Sequence, residues 1–233
     1  MLDDRQLLRC YATDGSEAAF GELVVRHLNL VYSAAFRRTS GDTHLAQDMA
    51  QLVFTDLARK TRSLPEGVVL AGRLHRATQY AAAQLLRPER RRVAREQEAV
   101  AMNTPDSNPD WEQVRPLLDE ALDWLDSTDR DAVLLRYFEH KSANEIGQTL
   151  CTTDDAAQKR VSRAVERLRE FFAKRGITVG ACGLAALISA NAAQSAPVGL
   201  AVAIAMITLQ KAIPAAVVGP GVGSSVDRSK PLG

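Results

Sequence analysis

The sequence predicts an all-α protein, and three observations carry that reading. Apolar residues recur at three-four spacing over long windows, no convincing period-two run marks a strand, and aromatic residues make up only 5% of the 233. Hydrophobic residues at 46% against 24% charged supply the apolar surface for a sizeable core. Cys10, Cys151 and Cys182 lie far apart with no paired spacing, so a disulfide scaffold is excluded. With no charged-then-apolar leader at the start, the expected compartment is the reducing cytoplasm.

Taken in order, residues 16–39 place Phe20, Leu23, Val24, Val31 and Ala35 on one helical stripe, with Arg26, Asn29 and Arg37 outside it. Asp42 is placed to cap the next helix, whose inward stripe is Leu45, Met49, Leu52, Val53 and Leu57. Asp48, Gln51, Thr55 and Arg59 share its opposite face. Pro65 and Gly67 break the pattern, and a further helix turns Leu70, Leu74, Ala77, Ala81 and Leu85 inward. Its other stripe is Arg73, Arg76, Tyr80, Gln84 and Arg87. The stretch MNTPDSNP, residues 102–109, has no apolar period and reads as a flexible linker.

A second helical unit follows. Leu118, Leu122 and Leu125 mark one helix, and Thr128 with Asp131 is spaced as a capping box for the next, which runs to about Phe138. Ser142 with Glu145 is a clearer capping box. It opens a short helix ending near Leu150. Cys151-Thr152-Thr153 then makes a turn, and a long helix runs from Asp154 to about Phe172. Short helix, three-residue turn and longer helix is a helix-turn-helix arrangement.

The net charge of +1 conceals strong segregation. Residues 73–95 hold seven arginines against Glu89, and residues 159–175 hold seven bases against Glu166 and Glu170. Between them, residues 96–131 hold eleven acids against Arg115 and Arg130. Basic blocks of this kind suit a polyanion, because each cation near a phosphate releases condensed counterions; solvated helix faces are the alternative.

In the long helix Ala157, Val161, Ala164, Val165, Leu168 and Phe172 form a packing face, leaving Gln158, Lys159, Ser162, Arg163 and Glu166 outward. A helix in the major groove reads base edges from its N-terminal half, so Thr153, Gln158 and Lys159 are base-edge candidates. Arg160, Arg163 and Arg167 are phosphate contacts or internal ion pairs. In the first unit Tyr80 lies among arginines, a combination that suits unstacked bases, although plain packing of the ring explains it equally well.

Catalytic constellations are thin. His27, His44, His75 and His140 lack metal-ligand spacing and no cysteine accompanies them. No GxxxxGK[ST] loop occurs, and the Gly219, Gly221, Gly223 series follows no strand. The expectation is a non-enzyme that needs no metal or cofactor.

These residues resemble a bacterial extracytoplasmic-function sigma factor, an initiation subunit of RNA polymerase, over about residues 3–173. AAFGELVVRHLNLVYSAAFR and DTHLAQDMAQLVFTDLARK are similar to the family's polymerase-binding region two, including the AxDxxQxxF spacing of Asp48, Gln51 and Phe54. ALDWLDSTDRDAVLLRYFEHKSANEIGQTL and RVSRAVERLR are similar to region four. The resemblance implies region two over 1–92, a linker over 93–112, region four over 113–175 and an extension over 176–233. It implies core RNA polymerase as partner at Asp48, Gln51, Phe54, Thr55 and Arg59. It further implies melted promoter DNA about ten bases upstream of the start at Arg73, Arg76, Tyr80 and Arg87. Duplex promoter DNA about 35 bases upstream falls to Thr153, Gln158, Lys159, Arg160 and Arg163. Two departures stand out: Arg73 replaces a frequent aromatic, and Cys151 a frequent glycine of the turn. An anti-sigma factor is a further partner of the family's kind. A helix-turn-helix regulator that never joins polymerase is the alternative of another class.

Residues 176–210 carry no charge over 35 positions. Pro197 divides the run, Asn191, Gln194 and Ser195 sit at the break, and each half is short of the roughly 20 apolar residues of a membrane span. Two readings stand: a hairpin at the inner membrane, and a helical pair folded back on region two or four.

Overall fold

The computed structural model describes residues 2–65, 67–86, 109–191 and 194–212, with the side chains of 109, 110 and 209–212 left out. Every regular element among them is helical. Helix α1 (Asp4–Asp14) opens on an Asp3/Gln6 capping box and closes on Gly15, whose φ of 66° is the left-handed conformation that glycine adopts most readily. Ser16 caps α2 (Glu17–Arg38), and Asp42 accepts the Leu45 N–H at 3.0 Å to start α3 (Thr43–Lys60). A 3-10 turn (Thr61–Ser63) leads to α4 (Leu70–Leu85). Phe20, Leu23, Val24, Val31, Ala35, Met49, Phe54 and Leu74 are at most 1% exposed and hold these helices as one bundle. Each such burial contributes about 1.5–3 kcal/mol for the larger side chains.

The second unit runs α5 (Pro109–Val114), a 3-10 turn (Arg115–Leu117), α6 (Leu118–Trp124) and α7 (Ser127–Val133). A π turn (Leu134–Phe138), α8 (Ala143–Thr149) and α9 (Asp154–Ala173) complete it. Trp111, Leu118, Leu122, Leu134, Ile146, Ala164, Leu168 and Phe172 form its core. Two further helices follow, α10 (Ala181–Asn191) and α11 (Leu200–Ala212). With 11 and 13 residues they are shorter than a span, and no described helix is long and apolar enough to cross a membrane. Helix α10 packs on the second unit, whereas α11 lies across α2 and α3 of the first.

Several expectations are corrected. Leu52 and Leu85, assigned to inward stripes, are 42% and 39% exposed, because their positions fall at the edge of the buried arc. Asp126, not Thr128, caps α7, accepting the Asp129 N–H at 2.9 Å. Asp131 therefore stands free of the cap and faces α4. Pro109–Val114 is helical, so the linker assigned to 93–112 ends earlier; its residues 93–108, like Arg87, lie outside the described residues.

The largest difference is that the two units pack together through buried ion pairs. Arg37, read as lying outside the stripe, has a side chain only 5% exposed and pairs with Asp119 of α6 at 2.8 Å. The fully buried His75 of α4 reaches the same carboxylate at 3.2 Å. The Arg37 charge, with hydrogen bonds from His75 and Arg37, overcomes burial and drives the Asp119 carboxyl far below the usual carboxylate range. His27 of α2, 1% exposed, spans Glu139 at 2.6 Å and Asp4 at 2.9 Å. Burial alone depresses its pKa, but the Glu139 charge and hydrogen bonds to both carboxylates push it up to about 9. Both ring N–H groups accordingly donate. Asp4, which burial alone raises, is held down at about 2 by the same contact.

Candidate nucleic-acid interface

The helix-turn-helix is built by local chemistry. Ser142 and Glu145 satisfy each other's backbone N–H groups at the start of α8. Gly147 lies where a Cβ would come within 2.9 Å of the Thr152 carbonyl oxygen, so the backbone of the turn packs directly on α8. The Thr152 N–H donates back to the Gly147 oxygen at 2.8 Å. Cys151 takes a φ of 54°, the left-handed conformation that glycine adopts without strain. Thr153 then caps α9, its hydroxyl accepting the Ala156 N–H at 3.3 Å. Asn144 donates to the Asp154 carboxylate at 3.2 Å, locking the two helices at their junction.

This framework projects Gln158, Lys159, Ser162 and Arg163 into solvent on one side of α9. Lys159 pairs with Asp155 at 2.7 Å, but both side chains are at least 70% exposed, so the pair is weak and readily exchanged for a phosphate. Arg160 and Arg167 are used differently. Both bond the buried Asp129 of α7 at 2.9 Å, and Arg167 also reaches Asp126. The Asp129 N–H, with Arg167 behind it, lowers the Asp126 pKa. Of the two roles open for Arg160, the internal ion pair is the one present. Thr153 remains exposed, its hydroxyl engaged in the cap.

On the first unit Arg76, Tyr80 and Gln84 stand on the outer face of α4, with Tyr80 76% exposed and Arg73 half-buried. They line a cleft of about 560 Å³ between α3 and α4, shared with Asp56 and Lys60. Asp131 closes one end of this cleft, in contact with the space where a Gly72 side chain would stand. Burial pushes its pKa up to about 6, with Arg130 and Arg76 opposing the shift. The face assigned to polymerase is divided. Asp48 and Arg59 are exposed and Gln51 is half-buried, but Phe54 is wholly in the core and Thr55 is only 7% exposed, beneath α11.

Residues that sequence reasoning missed act as braces. The guanidinium of Arg130, 7% exposed, donates to the carbonyls of Leu122, Asp123 and Leu125 and closes the C-terminus of α6. Asp119 and Glu139 join the units. Their partners lie tens of residues away, and no periodicity marks such a pair. Beyond α9, Arg175 stacks over Phe171 at 3.6 Å and pairs with Glu120, anchoring the end of the second unit.

Residues 115–168, which contain α6 to most of α9, match the family model of sigma-70 region 4. An ECF RNA polymerase sigma factor, SigE of Mycolicibacterium smegmatis, is 33% identical over 172 residues, covering 69% of this chain and 65% of its own length. The RNA polymerase sigma factor CarQ of Myxococcus xanthus is 30% identical over 169 residues, covering 71% of this chain and 96% of its own. The chain thus spans just under two thirds of the first relative and nearly all of the second.

Proposed function

We infer, from the premise that this chain belongs to the extracytoplasmic-function RNA polymerase sigma factors, that it joins core RNA polymerase in the cytoplasm and directs it to promoters. The observation that carries this is α9, a capped helix whose solvent face holds Gln158, Lys159 and Arg163 inside the stretch matched to region 4. On this reading α9 enters the major groove of the element about 35 bases upstream. Its N-terminal residues meet base edges and Arg163 meets the backbone, while Arg160 and Arg167 stay with Asp129 and fix the angle of the helix.

The outer stripe of α4 supplies the second contact. Tyr80 offers a ring for a displaced base, and Arg73 and Arg76 neutralise the strand's phosphates beside the cleft. Exposed Asp48 and Arg59 of α3 offer charged contacts to polymerase. The chemistry of RNA synthesis stays with polymerase, and we assign this chain no catalytic step, metal or cofactor. Retention of Asp48→Lys on bacterial core polymerase tests the α3 assignment: we expect weakened retention with duplex binding by α9 unaltered, and unchanged retention removes Asp48 from that surface.

A further inference from the structure

We propose that residues 176–191 and 194–212 form a strap that holds the two units closed and withholds α3 from core polymerase, so that α11 must leave α3 before the chain engages its partner. This rests on the polymerase reading above. One end of the strap is α10, whose Leu184, Leu187 and Ile188 are buried on the second unit, where α10 packs against α9, α5 and the π turn. The other end is α11, which lies on α2 and α3 with Ile204 and Thr208 at most 1% exposed. Between them the chain is pinned to α2. The Gln194 N–H donates to Ser33 Oγ at 2.6 Å, and the Ala196 N–H donates to Asn29 Oδ1 at 3.0 Å.

The place covered is specific. Thr55 shares the helix face of Asp48, Gln51 and Arg59, and its hydroxyl lies 3.4 Å from that of Thr208, with both residues buried. A partner that uses this face at Thr55 cannot reach it while α11 is seated.

Length favours the release. Eight residues, 192–199, separate α10 from α11 and reach at most about 30 Å when fully extended. Promoter elements about ten and 35 bases upstream lie roughly 85 Å apart at about 3.4 Å per base pair. Once the seats on the two units stand more than about 30 Å apart, α10 cannot stay on the second unit while α11 stays on the first. Because α10 continues directly from the second unit and α11 sits on the partner face, α11 is the end that lets go. The seat suits a reversible contact: 176–210 carry no charge, and the strap is held by apolar packing and neutral hydrogen bonds.

The test uses the full chain with Cys10, Cys151 and Cys182 changed to serine. Thr55→Cys/Thr208→Cys is joined by oxidation or a short thiol crosslinker, and retention on bacterial core RNA polymerase is measured before and after. The locked chain is expected to bind at least tenfold more weakly than the same variant unlocked; equal binding overturns the proposal. Ile204→Asp, which unseats α11 without touching α3, is expected to raise polymerase affinity several-fold, with α11 newly open to protease. Released α11 with unchanged affinity also overturns it. If no form is retained, Ile204→Asp included, the polymerase reading itself fails and the strap falls with it.

Discussion

Replacing His27 by glutamine removes the buried cation that bonds both Asp4 and Glu139 between α1, α2 and the second unit, leaving Arg26 on Asp4 and Lys141 on Glu139. The folded pKa of about 9, against 6.5 for an ordinary histidine, corresponds to a stabilisation of about 3 kcal/mol. The sign follows from the direction of the shift. A histidine whose folded pKa is raised contributes fully below pH 6.5, and its contribution fades as pH rises through 9. Asp4, held at about 2, keeps its charge over that whole window, so the acid side does not intervene until pH falls below about 4. Urea unfolding of wild type and His27→Gln, followed by the combined fluorescence of buried Trp111 and half-exposed Trp124, gives the difference directly. We expect about 3 kcal/mol at pH 6, shrinking to under about 1 kcal/mol by pH 10. A loss of this size is a large share of an ordinary domain's 5–15 kcal/mol. A difference that stays constant from pH 6 to 10, or a variant as stable as wild type at pH 7, refutes the clasp.

Three further outcomes follow from the same geometry. Cys151→Gly relieves a left-handed backbone and should raise the stability of the second unit by roughly 1 kcal/mol, read from the same unfolding curves. Asp131→Asn should stabilise the closed arrangement at pH 7.5 by about 1 kcal/mol after discounting for solvent, because a carboxyl with a raised pKa costs stability once pH passes about 6. That gain should vanish below pH 4, and small-angle scattering should show a more compact average at neutral pH. Arg163→Glu should weaken duplex binding at the upstream element and flatten the slope of log K against log salt by about 1, the mark of one lost phosphate contact. An unaltered slope assigns Arg163 elsewhere.

The helices were legible because each signal is local. The Ser142/Glu145 box, the Asp42 cap and the stripes through Phe20, Met49 and Leu168 all depend on residues within a turn or two of one another. The outward set of α9 followed from its packing face for the same reason. What stayed hidden was everything set by distance along the chain. Arg37 looked like a solvent residue until Asp119, 82 positions later, took it into the interface. Thr55 belongs to a polar face by periodicity, yet Thr208, 153 positions on, covers it. The uncharged run 176–210 showed an apolar segment broken at Pro197, but composition alone does not say which surface each half meets. Asp126 took the cap in place of Thr128 because an aspartate directly before Ser127 accepts the Asp129 N–H, which starts the helix two residues earlier than a Thr128 cap would.

The central claim is tested most directly by adding the purified full chain to bacterial core RNA polymerase and mapping transcripts from a fragmented genomic library. Discrete start sites that share two elements, about ten and 35 bases upstream, and that disappear without the chain are the predicted result. Transcription that is indistinguishable with and without it, under conditions where the unseated Ile204→Asp chain is equally silent, contradicts the account.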